Sequence, residues 1–573
     1  MELKQLIHNG VVVPQPLPHR GLQIKVRGEC VTLTTPKQEE MALAWAKKHG
    51  TPYVDNPVFA ENFLADFSAE LGIEPPLTLK EVDFSQPIAE VQAEKAAKER
   101  LSQEERRLLA AERKAEREAL RERFGYATVN GERAELASYI VEPGGIFMGR
   151  GEHPLRGRWK EGARHSDITL NLSPDAPIPP GDWAAIVWQP ESLWIARWQD
   201  KLSDKLKYIW LGDTVPIKQA REAQKFDQAI ELSVHLDGVR AGIDENLRSD
   251  DPRKRMIATA CYLIDALCLR VGDEKEADEA DTVGATTLRP EHVTLQPDGS
   301  AKFHFLGKDS VEWHKTLELP EVVRNNLKEL IRKARPSSTS PDLPQLFPDI
   351  SSRNVNSFLS RLMPGLTAKM FRTHHATEAV QNSLAESGVT AADPEHRKWA
   401  AATEANIEAA ILCNHTKTYT GDWEASKSRF EERLEKARGR VARAEQRVDE
   451  ATERLAALHR QAQQKIEAAQ TPVQQEKVEA HYQKRIQRAE FQIEAARQTL
   501  ERAQHAAEKI EVQMQAAGQK RTLNLGTSLK SYIDPRVYYR WGQQVNYDVL
   551  ERYYPTKLRQ KFAWVKEASS DEG

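Results

Sequence analysis

Arginine, lysine, histidine and tyrosine side chains stand in five short segments of this sequence: LRVGDEKEADEADTVGATTLRPEHV from Leu269, FLGKDS from Phe305, GLTAKMFRTHHAT from Gly365, AILCNH from Ala410 and LGTSLKSYIDPR from Leu525. Such groups could exchange a phosphodiester. That reaction needs an in-line nucleophile, cations for the oxygens of the crowded phosphorus, and a proton for the departing oxygen. Metal enzymes meet the last two needs with magnesium or zinc. The sequence has no Walker A loop, EF-hand pattern or H-E-x-x-H, and LGKDS around Lys308 lacks the preceding glycine of a phosphate loop. Cys30, Cys261, Cys268 and Cys413 form no C-x-x-C pair and have no accompanying histidine spacing for zinc, so they read as reduced thiols. If the chain handles phosphate, its own side chains do it. Taken singly each is ordinary: an arginine such as Arg372 usually makes a surface ion pair, His415 after Ile411-Leu412-Cys413 a satisfied core contact, and Tyr532 a buried hydrogen bond.

Length and pattern say what must hold these segments. At 573 residues the chain exceeds one hydrophobic core and predicts several domains of overall α+β class. Residues 1–204 form an N-terminal α+β region of two β-rich subdomains. Up to about residue 85, short β-rich runs (Val11 to Val13, Leu22 to Val26, Cys30 to Leu33) alternate with turns and one helical stretch near Gln38 to Lys48. From Ile88 to Phe124 the chain is dense in Ala, Glu, Lys and Arg, which predicts long helices at about 88–124 with charged faces, as solvated spacer or as a basic arm. Strands and turns return over 126–200. Residues 205–424 are mostly helical and hold the first four segments; there the apolar helix Met256 to Leu269 delivers Arg270, and a strand pair is expected near Val293 to Leu295 and Lys302 to Phe305.

The clearest periodicity runs Phe430, Leu434, Ala437, Val441, Ala444, Val448, Ala451, Leu455, Leu458, and after Thr471-Pro472 again from Tyr482 through Ile486, Ala489 and Ile493 to Met514. Steps of four and three make an a/d seam. Two such helices joined by a proline turn predict an antiparallel coiled-coil hairpin over 425–515, with a dimerising coiled coil as the competing use of the seam. Residues 516–573 then form a C-terminal domain with the last segment.

Composition is less informative. The 82 Lys+Arg against 85 Asp+Glu give a formal charge of -3, which by itself speaks against a nucleic-acid binder. A long acidic and basic hairpin can nonetheless dilute a basic groove in the total. The start MELKQLIHNGVVVPQPLP has no signal-peptide core, no apolar run reaches membrane-spanning length, and the mean hydropathy of -0.63 fits a solvated protein.

Together, and in this order, the five segments resemble the active-site segments of type IB DNA topoisomerases. The resemblance extends to HNGV near His8, VEPGGIFMGRGEHP from Val141 and KYIWL near Lys207, so it covers nearly the whole chain. It implies a multidomain DNA clamp with a tyrosine-recombinase-like catalytic domain. By that resemblance Tyr532 is the nucleophile that links to a DNA 3′-phosphate, Arg270 and Arg372 hold the non-bridging oxygens, His415 donates a further hydrogen bond and Lys308 protonates the 5′-oxygen. Arg150, His153 and Asp309 are implied as DNA contacts, Thr527 as the support of the loop carrying Tyr532, and Ser531 as an inhibitor-site candidate, standing where nuclear members carry asparagine and predicting a weakened response to camptothecin. The expected activity is relaxation of positive and negative supercoils with no cofactor required, neither metal nor nucleotide. The expected partner is double-stranded DNA, bound by a monomer without a membrane, in the cytoplasm with the nucleoid or alternatively in a nucleus. The chain begins almost at the family's core, which points to an archaeal source.

Tyrosine recombinases share this chemistry, but Lys369 stands where they usually have histidine, and a hairpin separates His415 from Tyr532. A non-enzymatic DNA-bound scaffold would be expected to have lost catalytic residues, and all five positions are filled.

Overall fold

The computed structural model describes residues 3–273, 281–337, 343–419 and 421–568, with backbone alone for Asp309, Glu567 and Ala568. Backbone contacts divide the chain into two compact units, Met1–Phe371 with Gln560–Gly573, and Arg372–Arg559. Helices predominate, with several small sheets, in an α+β mixture.

In the first unit, strand Gln23–Val26 pairs antiparallel with Glu29–Thr32 and Val82–Asp83. Its alternation turns Ile24 and Val26 onto helices Pro36–Ala46 and Pro57–Leu71. The first helix is fixed by a capping box, Thr35 with Gln38. The second was missing from the sequence reading, although Phe59, Phe63 and Phe67, four apart, mark one helical face and stack toward Trp45 and Phe84. The charged stretch forms helices Ser85–Arg100 and Gln103–Phe124, and the latter buries no residue.

A second β region joins a three-stranded sheet (Leu6–His8, Tyr126–Val129, Glu132–Glu135) to a four-stranded one in the order Ala185–Val187, Ile168–Asn171, Trp194–Gln199, Leu206–Trp210. Buried His8 ties them: Nδ1 accepts from Gly10 N–H at 3.1 Å and Nε2 lies 3.0 Å from the Asn171 carbonyl, which selects the neutral Nε2–H ring. Burial lowers its pKa from 6.5 to about 4. Between those values the unfolded chain binds the proton and the folded chain does not, so stability falls as pH drops through this window, by about 3 kcal/mol at its end. Denaturant midpoints of the first unit's transition at pH 7 and 4.5 test this: His8→Gln should flatten the acid slope by one proton, and an unchanged slope would remove His8 as the cause.

The rest of the unit is a helical core of Pro216–Leu247, Pro252–Leu267, Glu321–Arg332 and Ser352–Leu362 beside a sheet of Val293–Leu295, Ser300–Gly307 and Val311–Glu318. The third strand was not anticipated, although VEWHKTLE alternates inward Val311, Trp313 and Leu317 with outward Glu312, His314, Thr316 and Glu318. The C-terminal stretch returns to this unit: Gln219 Nε2 donates to Gln560 O at 3.0 Å, Lys561 pairs with Glu222 at 3.1 Å, and Phe562 meets Phe226. Most of the acidic run Asp273 to Asp281, namely 274–280, lies outside the described residues. Its ends are engaged, Asp273 with Ser352 N–H at 2.8 Å and Asp281 with Arg289 at 2.8 Å.

The second unit contains the hairpin of helices Trp423–Glu467 and Pro472–Lys520, with Thr471 as N-cap and Pro472 in the first turn. Leu434, Ala437 and Ala444 on one helix and Ala489 and Ile493 on the other are buried on the expected seam, which is thus used within the chain. At its root Thr416 bridges Leu523, Lys417 N–H donates to Thr522 O at 2.8 Å and Asn524 N–H to His415 O at 2.6 Å. The hairpin therefore leaves and returns at one place, and the long insertion does not separate His415 from Tyr532.

Candidate active site

In the second unit three of the five segments meet. Helix Glu395–Leu412 ends at Cys413, and Asn414 takes a left-handed φ of 51°, reversing the chain so that His415 points inward. From helix Ala368–Glu386, Arg372 donates through Nη2 to the Cys413 carbonyl at 2.8 Å and lies 3.1 Å from His415 Nε2. The other ring nitrogen, Nδ1, is 2.7 Å from Ser528 Oγ. Arginine can only donate, so Nε2 accepts here, Nδ1 carries the proton, and the serine oxygen accepts it.

Tyr532 closes the cluster. Its ring lies 5.0 Å from that of His415, and Arg372 Cζ sits 4.9 Å from its centroid. The Tyr532 carbonyl accepts from Thr377 Oγ1 at 3.2 Å, and that threonine hydroxyl in turn accepts from Asp534 N–H at 3.0 Å. Arg372, His415 and Tyr532 are 1%, 4% and 8% exposed. An arginine held at 1% exposure by a carbonyl and an imidazole is positioned for more than a surface ion pair.

The first unit assembles the other two segments by backbone pairing. Cys268, with φ 53°, terminates the apolar helix and releases the chain toward half-buried Arg270. Ala285 N–H donates to Arg270 O at 2.9 Å and Thr286 N–H to Val271 O at 2.8 Å, while Val283 N–H donates to Leu306 O at 2.8 Å. One short segment thus ties Arg270 to the strand that leads into Lys308. The approach is close: a Cβ on Gly284 would stand 2.5 Å from Gly272 Cα. Lys308 is exposed at the turn between strands Ser300–Gly307 and Val311–Glu318.

Exposed Arg150 lies in the same unit between Gly149 and Gly151, both left-handed, and a Cβ on Gly151 would be 2.2 Å from Ser310 Oγ. The Arg150 loop therefore rests against the Lys308 turn. His153 packs edge-on to Phe147 and accepts from Leu155 N–H at 3.2 Å. The Asp309 side chain lies outside the described residues.

With this geometry in place, comparison with known proteins gives three family models in order along the chain: "Eukaryotic DNA topoisomerase I, DNA binding fragment" over residues 1–211, its "catalytic core" over 214–448, and "C-terminal topoisomerase domain" over 504–572. The chain is 31% identical to DNA topoisomerase 1 of Candida albicans and 30% identical to that of Homo sapiens, covering 99% of this chain in each case and 79% and 71% of theirs. It belongs to the eukaryotic-type DNA topoisomerase I family. DNA topoisomerase 1 beta of Arabidopsis thaliana is 33% identical over 99% of this chain, which spans 59% of that relative's length. Among the described residues no helix is long and apolar enough to cross a membrane.

For this family member the sequence reading missed two side chains that the geometry makes prominent, Ser528 and Thr377. Thr527 itself is half-buried, and its N–H donates to Asn524 O at 3.1 Å; the hydroxyls of the neighbouring Ser528 and of Thr377 hold His415 and the Tyr532 backbone. Half-buried Ser531 ends helix Leu525–Ser531. In sequence a serine four residues before a tyrosine carries no signal of its own. Buried Cys261, Cys268 and Cys413 pack, and Cys413 contributes its carbonyl to Arg372.

Proposed function

We propose that this protein relaxes positive and negative DNA supercoils by a type IB mechanism: one strand is cut through a 3′-phosphotyrosyl intermediate, rotates and is resealed, without ATP or metal. The observation that carries this reading is the buried contact of Arg372 and His415 with the Tyr532 ring.

In this reading the Tyr532 phenol loses its proton to solvent as its oxygen attacks phosphorus, and the P–O5′ bond breaks, Lys308 giving its proton to the departing 5′-oxygen. A phenol has a reference pKa of about 10, so cations beside it favour attack. Arg270 and Arg372 hold the non-bridging oxygens, each with a planar fork that matches two acceptors. His415 donates through Nε2, which requires a proton there. The Ser528 hydroxyl can accept from Nδ1–H or rotate to donate to bare Nδ1, so it supports both the protonated ring and the other tautomer. Resealing is the reverse: Lys308 takes the proton of the 5′-hydroxyl as tyrosine leaves. One ester replaces another of similar energy, so no nucleotide is needed. Arg150, His153 and Asp309 would contact duplex DNA, Thr527 and Ser531 would flank the nucleophile, and Ser531 would weaken camptothecin binding. The protein would act as a monomer where the cell keeps its DNA.

Relaxation of plasmids of either supercoil sign in EDTA without ATP tests the function; strict dependence on magnesium would overturn the mechanism. Ser528→Ala should lower kcat about tenfold at unchanged KM for DNA, since a buried imidazole loses a partner worth about 1–1.5 kcal/mol. A folded variant with parental kcat would remove Ser528 from the mechanism.

A further inference from the structure

Beyond Arg372, the same helix carries a second set of groups, His374, His375 and Glu378, that the relaxation chemistry does not use. In a helix successive residues advance by about 100°. Placing His374 at zero puts His375 at about 100° and Glu378, one turn on, at about 40°, between the two imidazoles. Helical side chains lean toward the N-terminus, so the glutamate reaches back over both rings. The coordinates agree: Glu378 Oε2 is 3.8 Å from His374 Nε2 and 3.9 Å from His375 Nδ1, and the three candidate ligand atoms all lie within 4.8 Å of one another. The histidines are 5% and 14% exposed, while the carboxylate, at 55%, opens the site to solvent.

We propose that His374, His375 and Glu378 form a binding site for a transition-metal dication of the zinc type. Two imidazole nitrogens and a carboxylate suit zinc, copper and nickel, and not magnesium or calcium, which take oxygen ligands. Zinc bonds of about 2.0–2.2 Å in a tetrahedron hold neighbouring ligand atoms about 3.3 Å apart. The present separations from the carboxylate exceed that by roughly half an ångström, a side-chain adjustment. Three ligands leave the fourth position to water, which makes the ion exchangeable. Its consequence is mechanical: the bridged turn begins two residues after Arg372 and encloses Thr377, whose hydroxyl holds the Tyr532 backbone. A bound ion braces that turn.

The test uses the full chain stripped with chelator, with Co2+ as the optical probe and Zn2+ in calorimetric competition. One equivalent of Co2+ should bind with the intense visible bands of a low-coordinate site, be displaced by Zn2+, and raise the Tm. Glu378→Gln and His375→Ala should each weaken uptake at least tenfold and abolish the Tm rise, with far-UV dichroism and the metal-free Tm at parental values. Because the chain has 16 histidines, the variants decide and not uptake alone. No stoichiometric uptake, or affinity unchanged in both variants, overturns the site. Neither readout involves DNA, so this result stands apart from that of the relaxation assay.

Discussion

Tyr532→Phe should abolish the covalent protein–DNA adduct while leaving the fold and DNA binding nearly unchanged. The phenylalanine ring keeps the contacts with His415 and with the Arg372 guanidinium, so stability should stay within about 1 kcal/mol of the parent. Only the phenol oxygen, the proposed nucleophile, is removed. Three other tyrosines nearby in sequence are poor substitutes. Tyr538 is fully buried and donates to the Ala402 carbonyl at 2.9 Å, and burial pushes its phenol and that of Tyr554 well above 10. Tyr553 is pushed up by burial to about 12. A buried phenol of raised pKa lacks the phenolate character that attack on phosphorus requires. Denaturing gels of labelled DNA, quenched during turnover, should show adduct for the parent and background for the variant. Adduct above background would assign the attack to another residue.

The residues of the proposed chemistry were nameable from sequence, and less of the scaffold was. Heptad spacing located both hairpin helices and their proline turn, because a seam of small apolar residues repeats over many turns and local periodicity suffices. Helix Pro57–Leu71 carried a regular phenylalanine face too, but over about four turns against about a dozen in each hairpin helix. The pairings that set the site in place were not legible. Val283 and Ala285 join the Leu306 and Arg270 backbones through carbonyls and amides that every residue has, and the closure of the hairpin root at Thr416 and Leu523 is likewise main-chain. Left-handed turns at Cys268, Ser310 and Asn414, each within two residues of Arg270, Lys308 or His415, were hidden because none uses glycine. Residue identity therefore announced which groups could react, while the backbone that aims them left little trace in side-chain pattern.

Arg372→Lys is expected to have the second largest effect, and it separates charge from shape. Lysine keeps the positive charge but not the planar fork. In the parent, one Nη2 reaches both the Cys413 carbonyl at 2.8 Å and His415 Nε2 at 3.1 Å, with the guanidinium 4.9 Å from the Tyr532 ring centroid. A single ammonium can keep one of these contacts. Since the side chain is 1% exposed, water does not replace the other, and leaving a buried acceptor unpaired costs about 1–3 kcal/mol. The unfolding transition of the second unit should move down accordingly. The chemical loss should be larger: withdrawing a preorganised donor pair from a developing phosphorane costs about 10²–10³ in rate. Arg270→Lys makes the control, because Arg270 is half-buried and its segment is held by backbone bonds that the substitution leaves intact, so its stability loss should be the smaller. Single-turnover cleavage, measured where both variants are folded, reads the chemical term. If Arg372→Lys cleaves within tenfold of the parent, positive charge alone serves at this position and the fork geometry is not what the buried arginine contributes.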